Sequence, residues 1–235
     1  MDLIKTLAAV APPSTGTRAI GQPIVPWSAP GATPWQVPEP LSALVLPTRA
    51  DRMRIAHLRD LADFKSEYLL DPGLAALEDN KDDAGVVMAL MRGHEAIATI
   101  RFIPSGHGLT LTERFWSDLV SDPAILGRDS WEVGRLVMAP EHRRADLLTP
   151  LLRLSLMELM RREHVQHMHG SCVMRMTRLY RRFGFQIHAL RSQAGLDCAL
   201  VHASVEASMR AFHIDEPVTA PAPLETHHSE ALLLQ

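Results

Sequence analysis

The sequence predicts an α/β fold: a mixed central β-sheet with helices on both faces. Three observations carry that expectation. Hydrophobic residues make up 46% of the 235 residues and charged residues 22%, enough apolar side chain for a sizeable core. Apolar runs of strand length alternate with segments of helical period between residues 42 and 216. Prolines crowd the ends instead, with nine of the 17 in residues 1–47 and three in 217–223. Residues 1–41 therefore read as a proline-rich, disordered arm, 42–216 as one domain and 217–235 as a flexible tail. Trp27 and Trp35 are the arm's only large anchors, and the composition around them favours a loose arm.

The elements follow in order. Ala43–Leu46 is a short apolar strand, and Asp51–Leu69 a helix whose apolar face carries Met53, Ile55, Leu58, Leu61 and Phe64. Leu74–Leu77 forms a second short helix. Gly85–Met91 and Ala96–Ile103, joined by the turn Arg92-Gly93-His94-Glu95, make a β-hairpin. Thr112 to Val120 is a capped helix. Trp131–Met138 is a strand that Pro140 ends. Asp146–Glu163 carries a broad leucine stripe, with Pro150 placed as a first-turn proline. Val165–Val173, Phe185–Leu190 and Leu196–Val205 are strands, and Met174–Phe183 is a helix between the first two.

Composition excludes several classes. No apolar run approaches the ~18–20 residues of a membrane span, so no integral membrane contact is expected. The amino-terminal apolar stretch is short and interrupted by prolines, unlike a secretory signal. Cys172 and Cys198 are the only cysteines, too few for a disulfide framework and suited to a reducing cytoplasm. His164, His167 and His169 have no Asp, Glu or Cys nearby to complete a metal site, so none is expected. Net charge is −3, which gives no global attraction to nucleic acid.

Two motifs carry a family resemblance. Val137-Met138-Ala139-Pro140-Glu141-His142-Arg143-Arg144 resembles the strand end and arginine loop of GCN5-related N-acyltransferases (GNAT). Tyr180-Arg181-Arg182-Phe183-Gly184-Phe185, about 40 residues on, is similar to their Tyr-x-x-x-Gly-Phe helix end. Within that superfamily, Trp131-Glu132-Val133-Gly134-Arg135 resembles the Glu-x-x-Arg strand of N-acyl amino acid synthases and acyl-homoserine-lactone (autoinducer) synthases. So do the acidic patch Glu78-Asp79 and Asp82-Asp83, and Arg101 near the end of its strand. The resemblance spans roughly Leu44 to Val205. It implies an acyltransferase that moves a fatty acyl group to the amine of an amino acid or similar small molecule.

The resemblance also implies roles. Glu132 acts on the acceptor amine, Tyr180 protonates the leaving thiolate, and Arg101 and Arg135 bind substrate. Backbone of Leu136, Val137 and Met138, with Arg143 and Arg144, holds the phosphopantetheine. Read from the residues alone, Glu132 and Arg135 stand three apart on a strand, hence on opposite faces, and an ion pair between sheet and helices explains them equally well. Tyr180 can equally be a core residue with a wet tip. The superfamily's glycines after the loop arginine are missing: Arg143-Arg144-Ala145-Asp146-Leu147 puts an aspartate where a pyrophosphate would sit at a helix start. Acyl carrier protein, rather than coenzyme A, is therefore the expected donor, with no tightly bound cofactor.

Arginine outnumbers lysine 21 to three, and the segment from Glu141 to Arg182 holds nine arginines against four acids. Arg175, Arg178 and Arg182 recur on one helix face, either as a solvated surface or as a docking face for an acidic carrier protein. With 5% aromatic residues, the segment lacks the interleaved rings of a nucleic-acid surface. Two rival readings stand beside the synthase: a homoserine-lactone synthase using S-adenosylmethionine, whose aromatic and arginine-rich amino-terminal segment the arm does not match, and a non-catalytic GNAT-like binding module.

Overall fold

A computed structural model describes residues 39–62 and 70–215. Trp27, Trp35, Phe64 and the tail from 217 lie outside the described residues. Seven strands form one sheet in the order β1-β2-β3-β4-β5-β7-β6. They are β1 (Leu41–Val45), β2 (Val86–Arg92), β3 (Glu95–Pro104), β4 (Ser130–Met138), β5 (His167–Val173), β6 (Gln186–Gln193) and β7 (Leu196–Ser204). Only β4 and β5 pair in parallel; every other neighbour is antiparallel. The mixed sheet is the one expected.

Helices cover both faces. α1 (Arg49–Arg52), α2 (Ala56–Arg59), α3 (Glu78–Ala84), α4 (Leu111–Phe115) and α5 (Pro123–Leu126) precede β4. α6 (Ala145–Arg162), α7 (Thr177–Arg182) and α8 (Val205–Ala211) follow it. On one face β2 and β3 present Met88, Leu90, Ile100 and Phe102 to Leu151, Leu156 and Leu159 of α6 and to Phe183 and Phe212. The other face has two smaller clusters: Val87 and Ala89 against Leu46, Ile55 and Leu58, and Leu74 with Leu111, Phe115, Trp116 and Ile125. Burial of β2 on both sides explains why its sequence is apolar without alternation.

Several local expectations are corrected. Residues 49–59 are not one helix but α1, a 3₁₀ turn at Met53–Ile55 and α2. The helix expected at Leu74–Leu77 is a 3₁₀ stretch, Pro72–Leu77, that runs into α3, whose residues EDNKDDA carry no apolar period; the buried residues of α3 are Lys81 and Asp82. α4 ends at Phe115, started by a capping box between Thr110 and Glu113. α6 begins at Ala145, so Pro150 stands inside the helix rather than in its first turn, and the Asp146 carbonyl receives no helical N–H hydrogen bond from position 150. α8 was not expected; Ser204 caps it, its hydroxyl accepting from Ala207 N–H at 3.2 Å. No helix among the described residues is long and apolar enough to cross a membrane.

Candidate active site

β4 carries the site because it does two things at once. Towards β3 it bulges. Thr99 faces Val137 and Arg101 faces Gly134, so Ile100 alone stands opposite both Arg135 and Leu136, and Arg135 takes a φ of +53°. Towards β5 it parts. Pairing runs only from Ser130–His167 through Glu132–His169. Beyond Glu132 the two strands diverge, and the gap opens into a cavity of about 230 Å³.

The cavity lies on the α6–α7 side. Ile100, Phe102, Val133 and Met168 form its sheet wall; Leu152, Leu156, Met176 and Leu179 form its helix wall. Its polar side chains come from β4 (Arg135), β5 (Ser171), α6 (Ser155) and α7 (Tyr180). Tyr180 lines it from α7, with its ring edge-on to Phe185 at 5.3 Å. A Cβ on Gly170 would come within 3.2 Å of the Val133 carbonyl oxygen and 3.6 Å of the Tyr180 hydroxyl, so the glycine lets strand and tyrosine approach. Ser171 also lines the cavity, and its hydroxyl accepts from the Trp116 indole N–H at 3.1 Å. Trp116 is fully buried, braced edge-on by Phe115 and overlaid by the Arg191 guanidinium.

The opposite face at the same point is charged. Helix periodicity in α3 sends Glu78 and Asp82 inward together, while Asp79 and Asp83 pair outward with Arg49 and Arg52. Arg101 donates to Glu78 at 3.0 Å and to Asp82 at 2.8 Å; Asp82 also takes Arg59. Arg135 reaches the same Glu78 at 2.7 Å, and Lys81 reaches it at 3.3 Å. The expectation that Glu132 and Arg135 face opposite ways is thus corrected. The bulge turns Arg135 onto the acidic helix, so it shares a face with Arg101, Gly134 and Glu132 while still lining the cavity.

Glu132 is buried, and its carboxylate accepts from Leu111 N–H (3.2 Å), Thr112 N–H (2.9 Å) and the Thr112 hydroxyl (2.8 Å) at the start of α4. Burial raises its pKa, against the pull of those donors and of the Lys81 charge. Glu78 goes the other way. Burial raises it, but the Arg135 hydrogen bond and the charges of Arg101, Arg135 and Lys81 outweigh that and hold it at about 2. Burial lowers the Lys81 pKa. Beside Glu132, a Cβ on Gly134 would meet no atom within 4 Å, so the strand is open there.

The other expected residues sit around this centre. Leu136 is 37% exposed at the mouth of the cavity, while Val137 and Met138 continue the ladder to Thr99 and Ala98. Arg143 donates to the Met138 carbonyl at 3.0 Å. Arg144 binds Asp146 at 2.9 Å, both largely exposed at the head of α6. Arg175, Arg178 and Arg182 are exposed, and none has an ion pair among the described residues. The three histidines do not converge: His169 sits 2.9 Å from the Ser130 hydroxyl, His167 stacks on His202, and His164 meets Gln166. Burial pushes the Cys172 thiol up to about 12, an inert thiol.

Sequence reasoning missed Lys81, Gly134, Gly170, Ser171 and Trp116 as site residues. Gly134 had a readable signal, since glycine inside a strand marks a bulge or a close approach. Ser171 and Trp116 had none, because their contact joins residues 55 apart.

Comparison with known proteins gives the family and the fold. The family described as N-acyl amino acid synthase FeeM matches residues 64–206, more than half of the chain. The structure of FeeM, an N-acyl amino acid synthase from uncultured soil microbes, aligns with a TM-score of 0.58 at 15% identity, covering 75% of this chain and 99% of that one. An uncharacterized protein from Bacillus halodurans aligns with a TM-score of 0.53 at 12% identity, over 74% of this chain and 88% of that one. No curated protein sequence matches. At these identities the structural likeness is one of fold.

Proposed function

Since the chain belongs to the N-acyl amino acid synthase FeeM family and is an acyltransferase, we propose that it moves a fatty acyl group from acyl carrier protein to the amine of an amino acid or a related small molecule. The observation that carries this reading is the junction at Gly134–Arg135, where an apolar cavity on one face of the sheet meets a charged cluster on the other. A thioester needs the first and a zwitterionic acceptor the second.

In this reading the phosphopantetheine enters where β4 and β5 part and pairs with the strand backbone at Leu136–Met138, in the manner of an added strand. A backbone N–H of that stretch donates to the oxyanion. The acceptor amine sits over the open position at Gly134 and first loses a proton to Glu132, directly or through a water. A carboxylate whose pKa burial has raised is better matched to that task than an exposed one. The nitrogen then attacks the carbonyl carbon, the C–S bond breaks as the amide forms, Tyr180 gives its proton to the departing thiolate, and the proton that the nitrogen sheds on becoming an amide returns through water to Tyr180. Arg101 and Arg135 hold the acceptor's side of the cluster.

Two features support a carrier protein over coenzyme A. The head of α6 has no glycine loop, and its Arg144 is already paired with Asp146 rather than free to take a pyrophosphate. Arg178 and Arg182 on α7, whose Leu179 and Tyr180 line the cavity, stand exposed together with Arg175 on the 3₁₀ turn Met174–Met176 before it, not all on one helix as expected, and form a surface complementary to an acidic partner. The test compares donors carrying the same acyl group. kcat/KM is expected to be higher with the carrier protein and to fall with salt; reversing the charge of two of the three arginines should raise KM for the carrier and flatten that salt dependence. Equal or better use of acyl-CoA removes the carrier protein from the reading. Mass spectrometry of the products formed from a mixture of amino acids names the acceptor.

A further inference from the structure

The cavity has a mouth and an end, and the end is built from two rings. At the mouth, Leu136 is 37% exposed, four residues past the last β4–β5 pair. At the end, Phe183 and Phe212 both line the cavity, each 6% exposed, stacked with centroids 5.1 Å apart and planes 16° from parallel. Their position is fixed from two directions. Val205 at the start of α8 donates to the Gln166 carbonyl at 2.8 Å, which ties that helix beside the start of β5, where β4 and β5 are still joined. Ser208 of the same helix donates to the Phe183 carbonyl at 2.9 Å. The stack therefore closes the cavity at the joined end of the two strands.

We propose that the Phe183–Phe212 stack is the wall that sets acyl chain length, and that the substrates are medium-length acyl groups. This rests on the acyl-transfer reading above. An apolar cavity of roughly 150 Å³ holds the six carbons of benzene, so about 230 Å³ holds on the order of eight to ten carbons. Each methylene short of the wall forgoes burial worth about a fourfold change in binding. Each methylene beyond it has to displace one of two rings locked in the core, in an interior packed too tightly to yield cheaply.

The experiment measures kcat/KM for the full chain with carrier proteins bearing acyl groups from butyryl to palmitoyl. The expected profile rises by about fourfold per methylene to a maximum near octanoyl or decanoyl and then falls. Phe212→Ala removes one ring and should move the maximum to longer chains; Phe212→Leu should move it the same way by less, and it keeps the test open if the alanine variant does not fold. A wild-type profile that still climbs at palmitoyl overturns the wall but leaves acyl transfer standing. So does a folded Phe212 variant whose profile superimposes on the wild type. Failure to transfer any acyl group from any donor overturns the wall and the acyl-transfer reading together.

Discussion

On one face of β3 and β4, Arg101 grips Glu78 and Asp82, Arg135 reaches over the bulge to the same Glu78, and Lys81 pairs with Glu78 from its own helix. On the other face, Ile100, Phe102 and Val133 border a cavity that the helices do not fill. The two faces belong to the same strands, and their side chains alternate between them. Their physics differs in what a change costs. A charged cluster is defined by complementarity, so removing one member exposes the rest. An apolar wall is defined by volume, and a side chain of similar size restores it. Four cations, Arg59, Lys81, Arg101 and Arg135, face three carboxylates, Glu78, Asp82 and Glu132. In the proposed reading that surplus of one positive charge would meet the carboxylate of an amino acid acceptor.

Replacement of Glu132 tests whether the charged face does chemistry or only holds the fold, and it carries the largest expected effect. Glu132→Gln removes basicity and should lower kcat by about 10²–10⁴-fold, with partial recovery at high pH where the amine is already free. The amide also turns an NH₂ towards donors that now meet oxygens, at Leu111 and Thr112, for about 1–3 kcal/mol of stability. Measuring both the melting temperature and the pH–rate profile separates the two. A folded variant with wild-type turnover at neutral pH would take Glu132 out of the mechanism.

A matched pair of methionine substitutions compares the faces directly. Arg101→Met leaves Glu78 and Asp82 short of their shared cation and should cost about 3–5 kcal/mol. For a chain of this size that lowers the melting temperature by roughly 2–4 °C per kcal/mol. Leu152→Met in the cavity wall keeps the volume and should cost less than about 1.5 kcal/mol. Equal losses in the two variants would abolish the distinction between the faces.

The apolar face was largely readable in advance. The leucine stripe of α6 and the runs of β2, β3 and β4 follow from periodicity, and both family motifs fell at the expected strand end and helix end. The charged face was readable only through the family resemblance. Glu78, Asp82, Arg101 and Glu132 were singled out, but α3 has no apolar period to mark it as a helix, since what it buries is Lys81 and Asp82. Nothing local announces that Arg135 changes sides, because a bulge is a property of two strands and not of one. The cavity was equally hidden. It exists because β4 and β5 stop pairing after Glu132 and because α8, which supplies Phe212, packs at their joined end.

Acid titration probes the charged face without a mutation. Glu78 falls from an ordinary 4.5 to about 2 in the fold. A depressed carboxyl contributes stability that is complete above its unfolded pKa and is lost as pH drops through the folded one. Its share, on the order of 3 kcal/mol, should therefore disappear between about pH 4.5 and pH 2. Chemical denaturation across that range should show a steeper loss in the wild type than in Glu78→Gln, which has no proton to take up. Parallel curves would mean that the cluster does not hold Glu78 ionised.

The smallest expected effect comes from Lys81, and it bears on how the two halves of the charged face communicate. Lys81 is 2% exposed and its ammonium reaches Glu78 at 3.3 Å, while its charge also acts on Glu132. Glu78 keeps Arg101 and Arg135 without it. Lys81→Met preserves length and apolar contact, removes the surplus cation and spares the fold a buried ammonium whose pKa burial already lowers. Stability should change by less than about 1 kcal/mol, in contrast to Arg101→Met. Kinetics should move in one direction only. The Lys81 charge lowers the Glu132 pKa, so its loss raises it, and a base that must be deprotonated to act then needs a higher pH. The acid limb of the kcat profile should shift upward with the plateau at high pH retained. An unmoved acid limb in a stable Lys81→Met enzyme would mean that Glu132 does not govern that limb, and the proton of the acceptor amine would then have to leave by another group.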